Sequence, residues 1–302
     1  MKILCFGSLN LDNVYHVDHI VKPGETTTSS SYQLFDGGKG FNQAIALGRA
    51  NANCCMSGMI GQDGIHLITS LQQSNVNADL VSVSENNNTG STIIQVDKNG
   101  QNSIICVGGA NHMITDSFVK HVIAQFEPGD YVLLQNEINN IPFIMKEAYD
   151  KGLKIAFNPS PITDELLKYP LELVDILILN EIEAHELTKE EKYEDMIRAL
   201  HTTYPKMSVL LTLGKKGAIY SDGKSTYNHG IYDVKVVDTT AAGDTFTGYF
   251  LAAYVDNEPI EECLRKASIA SSIAVSKNGA SSSIPFMSEV ENNALTLINL
   301  QL

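Results

Sequence analysis

Short apolar runs alternating with helix-length stretches constrain this chain more than any other feature. Lys2–Gly7, Cys54–Ile60, Tyr131–Gln135, Lys154–Asn158, Ile176–Asn180 and Ser208–Leu213 read as strands buried on both faces. Among them lie Phe41–Asn51, His66–Ser74, Thr115 to Gln125, Pro142–Lys151, Glu181–Thr188 and Glu191–Tyr204, which read as helices. Parallel strands need long crossovers, and helices supply them. The expected fold is therefore α/β: a doubly wound, mostly parallel sheet sandwiched by helices. Towards the C-terminus, Ile231–Val237 reads as a strand, followed by helices from Asp244 and from Pro259. A last helix, Ser288–Ile298, is expected with Ser288 as its N-cap.

Two segments break the alternation. The stretch around Val14–Ile20 and Thr26–Phe35 has strand composition without core hydrophobicity, and Thr92–Val96 and Ser103–Val107 flank Lys98-Asn99-Gly100. Asn-Gly between β-branched runs signals a hairpin. These pieces predict a small antiparallel sheet standing apart from the main one. The expected organisation is one domain over residues 1–302, with a β lid from about 12–36 and 90–108. Val14, Val17, Ile94, Ile105 and Val107 would give the lid an apolar face for a partner to bury.

Composition narrows the class. Net charge is −14, with no Lys/Arg cluster able to track a nucleic-acid backbone. No apolar stretch approaches membrane-spanning length, and the N-terminus reads as a strand, not a signal peptide. The five cysteines, Cys5, Cys54, Cys55, Cys106 and Cys263, lack metal-ligand spacing and read as reduced, buried thiols. Nucleic acid and membrane are thus excluded as partners, and a cytoplasmic location is expected.

In an open parallel sheet, ligands bind beyond the C-terminal ends of the strands. The residues there include Asn10, Asp12, Gln135 to Glu137, Asn158, Asn180, Glu183, Thr212 and Gly214. The turn Ala241-Ala242-Gly243-Asp244 has bare small residues at a helix start, a place suited to an anion. Asp244 sits there with two readings, a helix cap or a reacting group. A Walker P-loop is absent, as is a G-x-G-x-x-G after the first strand.

Two longer motifs carry a resemblance: Gly37-Gly38-Lys39-Gly40-Phe41-Asn42-Gln43-Ala44, and Asp238-Thr239-Thr240-Ala241-Ala242-Gly243-Asp244-Thr245-Phe246. With Asn158-Pro159-Ser160-Pro161, Asn180-x-x-Glu183 and Thr212-Leu213-Gly214 in order between them, the chain resembles the PfkB-type carbohydrate kinases of the ribokinase-like superfamily over its whole length. The resemblance implies ATP-dependent phosphorylation of a sugar hydroxyl, with D-ribose to D-ribose 5-phosphate as the first expectation. Asp244 would be the base and Ala242, Gly243 and Asp244 a backbone anion hole. Asn10, Asp12, Gly38, Lys39, Asn42 and Glu137 would bind sugar. Asn180 and Glu183 would position Mg²⁺ and the phosphates, and Thr212, Gly214 and Gly243 would line the nucleotide site. Asp238, Thr240, Ala274, Lys277, Gly279 and Ser283 would hold an activating K⁺. A homodimer through the lid is implied as well. Lys39 as the sole cation in the sugar set argues for a neutral sugar. Two alternatives stand beside this: a family kinase for fructose, a deoxy-sugar acid or a nucleoside, and a non-catalytic sugar-binding regulator. Phe41, where the family motif usually has a small residue, would either reshape the sugar pocket or face the core.

Overall fold

The computed structural model describes residues 1–298. The chain opens with β1 (Ile3–Phe6), β2 (Asn10–His16) and β3 (Ser31–Gly37), then α1 (Lys39–Arg49). Next come β4 (Cys54–Gly61), α2 (Ile65–Gln73), β5 (Asn77–Ser84), β6 (Gly90–Val96) and β7 (Asn102–Val107). The middle third holds α3 (Asp116–Ile123), β8 (Tyr131–Gln135), α4 (Ile141–Lys151), β9 (Lys154–Asn158) and β10 (Ile176–Asn180). It continues through α5 (Glu181–Thr188), α6 (Tyr193–Thr203), β11 (Ser208–Thr212), β12 (Ala218–Ser221) and β13 (Thr226–His229). The last third contains β14 (Ile231–Tyr232), α7 (Ala242–Val255), α8 (Ile260–Val275), α9 (Met287–Glu291) and β15 (Leu297–Ile298).

The main sheet runs β13-β12-β11-β10-β9-β8-β1-β4-β5. It is parallel from β11 to β5, and β12 and β13 add an antiparallel edge. Side chains alternate across it, as the period of two requires. Ile3 and Cys5 join the core under α1, α7 and α8, while Leu4 and Phe6 join the one under α3 and α4. Phe41 is fully buried in the first core, so its ring packs inward and does not reshape a pocket. Burial of such a ring contributes about 1.5–3 kcal/mol.

Helix α7 lies directly on α1 because Gly248 has no side chain. A Cβ there would sit 2.4 Å from the Cβ of Ala46 and 2.9 Å from the Leu47 nitrogen. This close approach brings the start of α7 to the start of α1.

Several expectations need correction. The small sheet, ordered β3-β2-β6-β7, is mixed: β2 pairs parallel with β6, since β6 follows a crossover through the main sheet. The run Ile231–Val237 is strand only at β14, which pairs with β15, not with the main sheet. The rest is extended loop, its β-branched composition notwithstanding. The last helix stops at Glu291, with Phe286 at its N-cap position, and the chain turns back into β15. The register also divides the supposed apolar face. Val14 pairs with Ile94, whereas Ile105 pairs with Ile93 and Val107 with Ser91, so the two groups point to opposite faces. Val17 is buried. Cys106 is exposed and Cys55 half-buried, against the expectation of buried thiols. Among the described residues no helix is long and apolar enough to cross a membrane.

Candidate active site

The ends of β9, β10 and β11 and the first turns of α1, α5 and α7 converge on two adjoining cavities. The first, of about 220 Å³, is lined by Lys39, Asn158, Asn180, Glu183, Gly243 and Asp244, among others. The second, of about 130 Å³, is lined by Thr212, Gly214, Gly243, Ser268 and Ser271. Thr212, Ala242 and Gly243 border both, so the two meet at the start of α7. A third and larger cavity, about 590 Å³, lies beneath the end of β7 and is lined by Asn10, Cys106, Glu137 and Tyr169.

The α7 turn has the geometry of an anion site. Ala241 precedes it in the left-handed region at φ 60°, a conformation that costs a non-glycine residue roughly 1–2 kcal/mol. Ala242 donates its N–H to Thr239 O at 3.2 Å. The N–H groups of Gly243 and Asp244 belong to the first helical turn, where no intrahelical carbonyl can reach them. No heavy atom lies within 4 Å of where a Gly243 Cβ would stand.

Asp244 does not cap its helix: Ala241 holds the N-cap position and makes no side-chain cap bond. Its carboxylate instead points across to α1. Oδ1 accepts from Gln43 Nε2 at 2.9 Å and Oδ2 from Asn42 Nδ2 at 3.1 Å. Asp244 is 9% exposed, at the floor of the first cavity. The Asn42 Oδ1 is buried and accepts no hydrogen bond, an acceptor left over for a ligand hydroxyl.

The expected sugar residues divide between cavities. Lys39 lines the first with Asp244, while Asn10 and Glu137 line the third. Burial alone would lower the Lys39 ammonium, but Asp244, Glu137 and Glu183 outweigh it and hold the ammonium above its usual range. Glu137 spends one oxygen on the fold: Oε2 accepts from Ser8 Oγ at 2.5 Å and from the Lys39 N–H at 2.9 Å. Asn10 Oδ1 accepts from Asn111 Nδ2 at 2.7 Å. Asp12 accepts from Thr92 Oγ1 at 2.7 Å. Burial raises the Asp12 carboxyl above its ordinary value; the Thr92 bond opposes this, while Glu137, Asp244 and Asp36 add to it. Gly38 sits at φ 93°, where any side chain would be strained, and a Cβ would also crowd the Ser8 carbonyl at 3.0 Å.

Asn180 and Glu183 cap each other reciprocally at the start of α5, at 2.9 and 3.0 Å. Both residues line the first cavity. Among the described residues, no group of three or more His, Cys, Asp or Glu side chains is gathered as a metal site. One carboxylate and one amide on the same wall form a sparse oxygen-donor set, of the kind that suits Mg²⁺ keeping most of its water.

The proposed cation cage is assembled from the loop before α7 and the loop after α8. Asp238 accepts from Thr240 N at 2.9 Å, Thr240 Oγ1 at 2.6 Å and Gly279 N at 3.0 Å. Burial would raise its carboxyl, and these donors override that and hold it low. Ser283 is buried and donates to Ala280 O; Lys277 sends its ammonium away to Glu289 at 2.6 Å. The Ala274 carbonyl already accepts from the Lys277 N–H. Among the described residues, no hydrogen bond reaches the carbonyl oxygens of Thr240, Lys277 or Gly279. Three spare carbonyls and a carboxylate are the kind of oxygen donors that a monovalent cation takes.

Residues outside the expected set also converge here. Ser8 and Asn111 organise the α1 side, and Gln43 and Asn158 the Asp244 side. Their strand-end and motif positions were visible in the sequence, but their partners lie more than a hundred residues away.

A mostly parallel sheet with a cavity at an open helix start and a buried carboxylate on its floor has the parts that a phosphoryl-transfer site needs. Residues 1–287 match the pfkB family carbohydrate kinase model, and the chain belongs to that family. Ribokinase from Haemophilus influenzae is 36% identical over 295 residues, covering 94% of this chain and 95% of the relative. Ribokinase from Bacillus subtilis is 34% identical, covering 96% and 99%. Among solved structures, ribokinase from Cryptococcus neoformans in complex with ADP superposes with a TM-score of 0.86 at 31% identity, covering 96% of this chain and 98% of that one. Arabidopsis thaliana ribokinase complexed with ribose and ATP gives 0.82 at 32% identity, covering 96% and 97%.

Proposed function

We propose that this protein transfers the γ-phosphoryl group of ATP to D-ribose, giving D-ribose 5-phosphate and ADP. The observation that carries the reading is the pairing at α7: a buried carboxylate, Asp244, beside the free N–H groups of Gly243 and Asp244. Near-full-length likeness to ribokinases, one of them bound to ribose and ATP, supports ribose as the acceptor.

Asp244 accepts the proton of the attacking hydroxyl and aligns its oxygen. The Gly243 and Asp244 N–H groups stabilise the charge that grows on the transferring phosphoryl; Ala242 joins them by giving up its bond to Thr239. Lys39 adds a positive charge to the same cavity. Asn42 Oδ1, Asp12, Asn10, Glu137 Oε1 and the Gly38 backbone face the sugar hydroxyls. Thr212 and Gly214 lie along the nucleotide, with Ser268 and Ser271 on the wall of the same cavity. Mg²⁺, held through water by Asn180 and Glu183, would neutralise phosphate charge. A K⁺ among Asp238, Thr240, Ala274, Lys277, Gly279 and Ser283 would fix the turn that bears the anion hole. The four-stranded sheet serves as the lid of a single domain, excludes water on closing, and pairs with a second lid in a homodimer. Action in the cytoplasm completes this reading; the net charge of −14 favours a chain that stays in solution.

A coupled ADP assay across ribose, fructose, deoxy-sugar acids and nucleosides, run in K⁺ and then in Na⁺, tests this. Ribose-dependent ADP release, with the phosphate on O5 of the product, is expected. Preferred turnover of another acceptor would replace ribose, and tight sugar binding without ADP would remove the kinase reading.

A further inference from the structure

We infer that Gln43 is a positioning residue that fixes the plane of the Asp244 carboxylate, as the last link of a buried amide relay. The inference rests on the reading of Asp244 as the base. Gln43 Nε2 donates one hydrogen to Asp244 Oδ1 at 2.9 Å and the other to Asn158 Oδ1 at 3.1 Å. Its Oε1 accepts from Gln135 Nε2 at 2.7 Å. Every polar atom of the amide is thus committed, and Gln43 is fully buried.

The amide cannot turn over. A flip would set Oε1 against the Asp244 carboxylate and the Asn158 oxygen, and Nε2 against the Gln135 nitrogen. Asn158, behind it, is fixed in the same way. Asn158 donates Nδ2 to the Ile178 carbonyl at 2.8 Å, which turns its Oδ1 towards Gln43. Gln135 and Asn158 are register partners at the ends of β8 and β9. Two neighbouring strands of the rigid sheet therefore act on one oxygen of the base.

The relay carries a penalty that packing alone would not demand. Gln135 Oε1 is buried and accepts no hydrogen bond, and a Cβ on Gly7 would lie 2.0 Å from it. An apolar residue at 135 would remove this orphan but strip the buried Gln43 Oε1 of its donor, so what Gln135 supplies is its hold on Gln43. Gln43 occupies one lone pair of Oδ1, and Asn42 one of Oδ2, so the carboxylate plane is set before any hydroxyl arrives. Orientation of this kind governs rate more than affinity.

The test is a double-mutant cycle between Gln43→Met, which keeps the length and removes the donors, and Asp244→Asn. In the parent background Gln43→Met is expected to lower kcat on the order of 10²-fold, with KM for sugar and ATP within about threefold. In the Asp244→Asn background it is expected to change residual turnover by less than about threefold. Gln43→Glu, which sets a carboxylate opposite Asp244, is expected to lose more kcat than Gln43→Met. An equal fold-loss in both backgrounds would mean a general packing role and overturn the inference, as would an unchanged kcat in folded Gln43→Met. Should Gln43→Met not fold, Gln135→Met, one link back, takes its place with the same expected pattern and the same overturning results. Near-normal turnover in Asp244→Asn alone would remove the base assignment; collapse there with a silent Gln43→Met would remove only the relay.

Discussion

Helices α1 and α7 begin side by side, both in runs of small residues, and their first turns are finished in opposite ways. At α1 the protein supplies the anion itself. Glu137 takes the Lys39 N–H, and Ser8 takes those of Gly40 and Phe41. At α7 no side chain caps the helix, Ala241 holds a left-handed turn, and the space over Gly243 is open. A helix start is anion-binding by construction. Whether it becomes a site depends on what the rest of the chain brings to it. On the proposed reading, one start holds the sugar side in shape and the other is kept for the phosphoryl group.

The sharpest way to break this contrast is to remove the charge that faces the open start. Asp244→Asn keeps the shape and loses the base, and kcat is expected to fall about 10²–10⁴-fold. Steady-state ADP release measures it; near-normal turnover would mean that the carboxylate is structural. Next, Gly243→Ala puts a methyl into the open space. Nothing in the protein meets that methyl. The melting temperature is therefore expected to hold, while kcat/KM for ATP drops at least about tenfold. A change at α1 should behave differently. Glu137→Gln weakens charge-assisted bonds to the Lys39 N–H and Ser8, and about 1–2 kcal/mol of stability should go, visible in a denaturant titration.

Asp12 supplies a pH test on the same sugar-side surface. Its carboxyl is raised above 3.8 mainly by burial. As pH falls through that raised value, the group takes a proton and gives up an acceptor, so kcat/KM for sugar should decline at a pH above the ordinary 3.8. Asp12→Asn should abolish that limb. The smallest effect expected is at Ala241. Ala241→Gly relieves the left-handed strain but loosens the unfolded chain, for a net gain of roughly 0.5 kcal/mol in thermal unfolding.

The sequence was most legible where burial is complete. Runs such as Ile176–Asn180 are apolar on both faces, and only a central parallel strand needs that. β5 and β13 carry polar or half-exposed residues and offered no such signal. Ile231–Val237 has strand composition, but no partner strand is free beside most of it. The parallel β2–β6 pairing depends on a crossover that no local pattern reveals. In the site, Asp244, Gly243 and Lys39 could be named from their motifs. The use of Glu137 as a helix anchor, and of Gln43 as a partner of Asp244, could not: those contacts span 98 and 201 residues of chain.

The central claim is that the α7 start, and not the α1 start, receives the transferring phosphoryl. Backbone amide NMR on the ¹⁵N-labelled protein, comparing ADP with a non-hydrolysable ATP analogue in the absence of sugar, tests it directly. The added γ-phosphoryl is expected to shift the Gly243 and Asp244 amide resonances and to leave those of Gly40 and Phe41 in place. Shifts at Gly40 and Phe41 with Gly243 and Asp244 unmoved would contradict it.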